Sequence, residues 1–228
     1  MSNSGTKDDW SKTDVIPKAV KTSLLLFQSE LQSCGAQSRD IMVVGAIAYL
    51  FYGRPRYSID LDIAVALKSE STREALFSVI KNQHRYAIIL NDRQLGTNEP
   101  NLDSSTDFDK INLIKLRDKD TQILIDILLV KPQESQCYGL DDQAFARARR
   151  EQIGDNQIVY VPSAEDFILM KLVARRPVSH DYEDMYSVLV GNYENLDWAH
   201  LRQKAKKVGV LHLLNSYSLA VRERRGES

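Results

Sequence analysis

Apolar positions along this chain change period several times. Val20, Leu24, Phe27 and Leu31 recur at helical spacing between Pro17 and Ser33, which predicts a helix with one apolar stripe. Ile41–Val44 is a short continuous apolar run, as expected of a buried strand. Gly45 then permits a tight turn into a helix over about 46–52. Gly53-Arg54-Pro55-Arg56 ends that helix, because Pro55 disfavours helical backbone at Arg54. From Ser58 to Leu67 the period falls to two. Ile59, Leu61, Ile63 and Val65 make one face, and Asp60, Asp62, Ala64 and Ala66 the other. A helix over 70–83 follows, with Ser69 or Ser71 as its N-cap. Tyr86–Leu90 reads as a third strand, and the polar residues 91–109 as a long loop. Ile111–Arg117 and Gln122–Val130 alternate like two strands of a hairpin turning near Asp118–Asp120.

The character changes after Lys131-Pro132. Residues 133–140 read as a linker, Asp142–Arg150 as a basic helix, and Gln152–Val161 as a small hairpin turning at Asp155-Asn156. Helices are expected at about 163–175, 180–190, 197–207 and 210–223. The layout is α/β (α+β): an N-terminal core over 15–132, then a mostly helical region over 133–228. Residues 1–14 are polar and read as a loose arm.

Bulk properties narrow the class. At 228 residues the chain suits one large domain or two small ones. A net charge of -1 gives no global basic field for nucleic acid, although a local patch stays open. Cys34 and Cys137 are too far apart for a CxxC motif and read as reduced thiols of a cytosolic protein. No apolar run approaches the roughly 20 residues that span a bilayer. The N-terminus lacks the apolar segment of a signal peptide. A cytoplasmic protein is therefore expected, with no membrane association.

The chemistry centres on acids in apolar strands. Asp60 and Asp62 share a strand face, where two like charges repel and a hard divalent cation would relieve them. A solvated strand edge is the other reading. Asp126 lies inside the aliphatic run Ile123–Val130, where an unpartnered carboxylate is costly. It is either held by a structural partner such as an arginine or joined to Asp60 and Asp62. Three such carboxylates can hold two divalent ions roughly 3.5–4 Å apart, for in-line displacement. Gly45 lets backbone amides approach a phosphate, or simply makes a turn. Arg54 and Arg56 are phosphate contacts or a solvated loop. Lys171 and Arg175 share a helix face, which is either an ordinary exposed face or one that meets Asp181 and Asp184 in an ion-pair network. Arg147, Arg149 and Arg150 form a basic helix end that faces either RNA or solvent. His84, His180, His200 and His212 are scattered and show no HExxH spacing, which points away from a zinc site or a serine-type triad.

Together these features resemble the DNA polymerase β-like nucleotidyltransferase superfamily. The match is to its minimal bacterial branch, with abortive-infection and toxin-type members. The run from Arg54 to Asp62, the strand acid Asp126, and the helix from Ser163 through Lys171 to Arg175 and Asp184 carry the resemblance. It implies a mixed twisted sheet with flanking helices, and transfer of a nucleoside monophosphate from an NTP to a hydroxyl. It implies Asp60, Asp62 and Asp126 as catalytic ligands of Mg2+ or Mn2+. Gly45, Ala46, Arg56, Ser58, Lys171, Arg175 and Asp184 would serve the nucleotide. Ala46 stands where the family commonly has serine or glycine, so a serine hydroxyl contact is absent. The acceptor stays open among tRNA, protein and small molecules, and a toxin role implies an antitoxin partner. A catalytically degenerate nucleotide- or partner-binding protein of the same fold is the alternative.

Overall fold

The stripe between Pro17 and Ser33 forms helix α1 (Lys18–Ser33), which buries Val20, Leu24, Phe27 and Leu31. The computed structural model describes residues 16–53, 58–81, 84–89, 111–131, 139–153, 157–174 and 179–226. The expected arm over 1–14, the loop over 91–109 and the turn at Asp155-Asn156 lie outside the described residues, as do Arg54, Arg56 and Arg175.

Five strands make a mixed sheet: β1 (Ile41–Val43), β2 (Leu61–Ala66), β3 (Tyr86–Ile88), β4 (Leu113–Asp118) and β5 (Leu124–Val130). Their order is β1-β2-β5-β4-β3. The β2–β5 pair is parallel, and the other three pairs are antiparallel. Because side chains alternate, each strand serves two layers. Ile41, Val43, Leu61, Ile63, Val65, Ile125 and Ile127 join the large core under α1 and helix α3 (Glu70–Lys81). Met42, Val44, Ala64, Ala66, Leu128 and Val130 build a smaller cluster on the other face. Ser69 caps α3, its Oγ accepting from the backbone N–H of Thr72 at 3.2 Å. The β4–β5 turn is held by buried Asp118. Its carboxylate accepts from Ser23 Oγ at 2.9 Å, an Arg85 guanidinium N–H at 3.0 Å and the Asp120 backbone N–H at 3.0 Å.

Two expectations need correction. The second strand begins at Leu61 rather than Ser58. Its β1 neighbour stops pairing after the bond from Val44 N–H to the Asp62 carbonyl, because Gly45 starts helix α2 (Gly45–Tyr49). On the other side, β5 begins only at Leu124. Asp60 therefore precedes the ladder, and Ile59 is exposed rather than inward. The supposed basic helix over 142–150 also divides. Helix α4 (Asp142–Ala146), capped by Asp141, ends before the hairpin of β6 (Arg149–Gln152) and β7 (Ile158–Val161). Arg149 and Arg150 are thus strand residues, and cross-strand pairing overrides helix propensity there.

Helices α5 (Ala164–Ala174), α6 (Ser179–Asn192), α7 (Trp198–Lys207) and α8 (Leu211–Arg225) complete the chain. Residues Asp166 to Leu172 of α5 are buried in succession, so this helix is enclosed on all sides. Phe167 stacks on Tyr49 of α2 at 6.1 Å between centroids. This contact sets α5 beside the β1–α2 turn.

Candidate active site

Strand register puts three charges in one row. Asp62 on β2 is the partner of Asp126 on β5, and Asp126 is in turn the partner of Lys115 on β4. Neighbouring strands lie about 4.8 Å apart and register partners share a face. The row therefore runs Asp62, Asp126, Lys115 across the sheet. Lys115 Nζ donates to Asp126 Oδ2 at 2.5 Å. Lys115 escaped the sequence reading. Its alternation with Ile114 and Leu116 was visible, but its register against Asp126 was not.

Gly45 closes the other end of the row. Its φ is +62°, and a Cβ there would lie 1.9 Å from Asp62 Oδ2. The glycine makes the turn and leaves room for the carboxylate. Ala46 follows as a buried residue of α2.

One cleft gathers much of the candidate chemistry. It is lined by Val44, Gly45, Ala46, Asp62, Leu113, Asp126, Leu128, Met170, Lys171, Ala174 and Asp181. Lys171 is buried on α5. Its ammonium donates to Asp181 Oδ1 on α6 and, at 3.2 Å, to Asp184 Oδ2 on the same helix. An ammonium has three donors, so these two bonds leave one N–H. The expected network of Lys171 with Asp181 and Asp184 is present.

Not every candidate joins the cleft. Asp60 is exposed and precedes the strand, so it does not share a strand face with Asp62. Ser58 lies half-buried, and its Oγ donates to the Asp60 carbonyl at 3.3 Å. No group of three or more His, Cys, Asp or Glu side chains suited to a metal ion occurs among the described residues. Arg147 does not present a basic helix end: its guanidinium donates to both oxygens of buried Asp166, at 2.8 and 2.7 Å.

That arginine belongs to a second charged cluster. Ser163 Oγ donates to Asp166 Oδ2 at 2.9 Å and accepts from the Asp166 backbone N–H at 3.2 Å, a cap at the start of α5. Lys204 of α7 reaches both Asp141 and Asp166. Burial opposes ionisation of Asp141, but hydrogen bonding and charge from Lys204 outweigh it and hold the carboxyl low. Burial and then the Arg147 guanidinium push His200 below the ordinary imidazole range. Arginine only donates, so His200 Nδ1, 3.2 Å from Arg147, is assigned as the acceptor of a neutral ring.

The site thus lies on a five-stranded mixed sheet with flanking helices. The chain belongs to the nucleotidyl transferase AbiEii toxin family of type IV TA systems, whose profile matches residues 33–226. Two solved structures are similar to it. One is JHP933 from Helicobacter pylori, 18% identical over 84% of this chain and 75% of that one, with a TM-score of 0.38. The other, a candidate nucleotidyltransferase from H. pylori, is 17% identical over 89% of this chain and 82% of that one, also with a TM-score of 0.38. The comparison with curated proteins gave no match. Among the described residues, no helix is long and apolar enough to cross a membrane.

Proposed function

We propose that this chain transfers a nucleoside monophosphate from an NTP to an acceptor hydroxyl and releases pyrophosphate, as the toxin of a toxin–antitoxin pair. The observation that carries the reading is the register of Asp62 against Asp126 in a cleft also lined by Gly45 and Lys171. The acceptor oxygen would bond to the α-phosphorus while the bond to the bridging oxygen of pyrophosphate breaks. Asp126 would hold the hydroxyl and take its proton. Lys171, held by Asp181 and Asp184, would offer its remaining N–H to the triphosphate, with backbone amides near Gly45 and Ala46 beside it. Arg56, Ser58 and Arg175 are proposed as outer contacts to the nucleotide.

Two carboxylates side by side on neighbouring strands fit a hard divalent ion, Mg2+ or Mn2+, through Asp62 and Asp126. When bound, such an ion neutralises charge that develops on the phosphate oxygens. Asp60 is proposed as a ligand from the loop before β2. The protein's own share is positioning and charge placement. tRNA, protein and small-molecule hydroxyls all fit this chemistry as acceptors.

The test incubates the protein with labelled NTPs, Mg2+ or Mn2+, and pools of RNA and protein. Label transfer is expected for the native chain. Asp62→Asn and Asp126→Asn should each lower it at least about 100-fold, the scale of losing a main electrostatic group, with unchanged circular dichroism. Transfer that survives both substitutions refutes the assignment. Ala46 favours a second reading, nucleotide binding without transfer. Calorimetric NTP binding with no labelled product in any pool would select it.

A further inference from the structure

Asp126 is already partnered. Its Oδ2 accepts from the Lys115 ammonium at 2.5 Å, and the ladder fixes the pair because the two residues are register partners. The side chains are 34% and 21% exposed, so both charges are substantially removed from water. Asp62 flanks Asp126 on the opposite strand. A positive charge thus sits at one end of the acid row. A dication placed against the Lys115 side of Asp126 would meet that charge at short range in a partly desolvated site. Asp60 is exposed and precedes the ladder, so it adds no third carboxylate to the row itself. Among the described residues no three-group metal cluster forms.

Resting on the nucleotidyl-transfer reading above, we infer that Lys115 is a positioning residue that stands where a second metal ion would. The centre then takes one divalent ion, held through Asp62, Asp126 and the triphosphate, with Asp60 added from the loop before β2. The Lys115 ammonium supplies the other positive charge by engaging one Asp126 oxygen, and leaves the second oxygen facing the reacting groups. Opposite-charge partners across a strand pair hold their geometry without any ligand, so Asp126 is oriented before substrate arrives.

The experiment counts bound Mn2+. Native protein and the variants Lys115→Met and Lys115→Gln are saturated with an equimolar mixture of the four α,β-methylene nucleoside triphosphates. Mn2+ is titrated in, and the ion retained with the protein is measured after ultrafiltration by its paramagnetic resonance. One Mn2+ per chain is expected for the native protein and two for each variant, with thermal melting confirming that the variants fold. Lys115→Arg should stay at one. Two ions on the native chain overturn the inference and leave nucleotidyl transfer standing. One ion on both folded neutral variants does the same. A native chain that retains neither analogue nor ion overturns the transfer reading itself.

Discussion

Gly45 carries two constraints at one position. Its φ of +62° is left-handed backbone, and its missing Cβ is the space that Asp62 occupies. A side chain there costs about 1–3 kcal/mol in backbone strain and must also displace the carboxylate. Gly45→Ala is therefore expected to lower the melting temperature and abolish NTP binding together. A variant with native calorimetric affinity would remove Gly45 from the site. His200 gives a different residue-scale prediction. Its imidazole is held below the ordinary range by burial and by Arg147. The unfolded chain, titrating near about 6.5, then binds the proton more readily than the folded chain. Stability should fall as the pH drops through about 6.5, until the folded ring also protonates. His200→Gln should flatten urea-midpoint profiles in that window, whereas parallel profiles for the two proteins would contradict it.

Among the elements, α5 depends most on a single buried charge. Asp166 closes the cap with Ser163 and receives both bonds from Arg147. Asp166→Asn leaves the guanidinium without its counter-charge, a loss of about 3–5 kcal/mol by analogy with broken buried ion pairs. Urea unfolding measures this, and a change below about 1 kcal/mol would show that solvent compensates at the partly exposed guanidinium. The sequence made some of these elements legible and hid others. The stripe of α1 and the alternation of β2, β4 and β5 follow from local periodicity, so their type was readable. Ser163 and Asp166 also stand at cap spacing. By contrast, β6 is a strand only because β7 pairs with it, and its arginines look helical when read alone. Asp60 looked equivalent to Asp62 because alternation does not reveal where the neighbouring strands stop. Lys115 became part of the row only through a register set by the whole sheet. Local chemistry was visible wherever a residue acts through its own strand or helix. Partners chosen by tertiary packing were legible only in part: the Lys171 network was expected, whereas Lys115 and the β6 arginines were not.

Across the whole molecule, the large core joins Ile16 and Leu24 to Phe167, Leu189 and Val221 without interruption. We therefore propose that the parts before and after residue 132 fold as one unit. Calorimetry should show a single transition, and residues 1–132 expressed alone should lack dispersed amide resonances. Two resolved transitions would establish independent domains instead. The parallel pairing of β2 with β5 has a further consequence, in time rather than in space. Asp62 and Asp126 meet only through strands separated by α3, β3 and β4, and a parallel ladder with such long-range contacts forms slowly. While a ribosome has released only the first half of the chain, the acid pair does not exist. Lys171 and its two carboxylate partners emerge later still. The acid row and the lysine beside it therefore come into being only once most of the chain has been made.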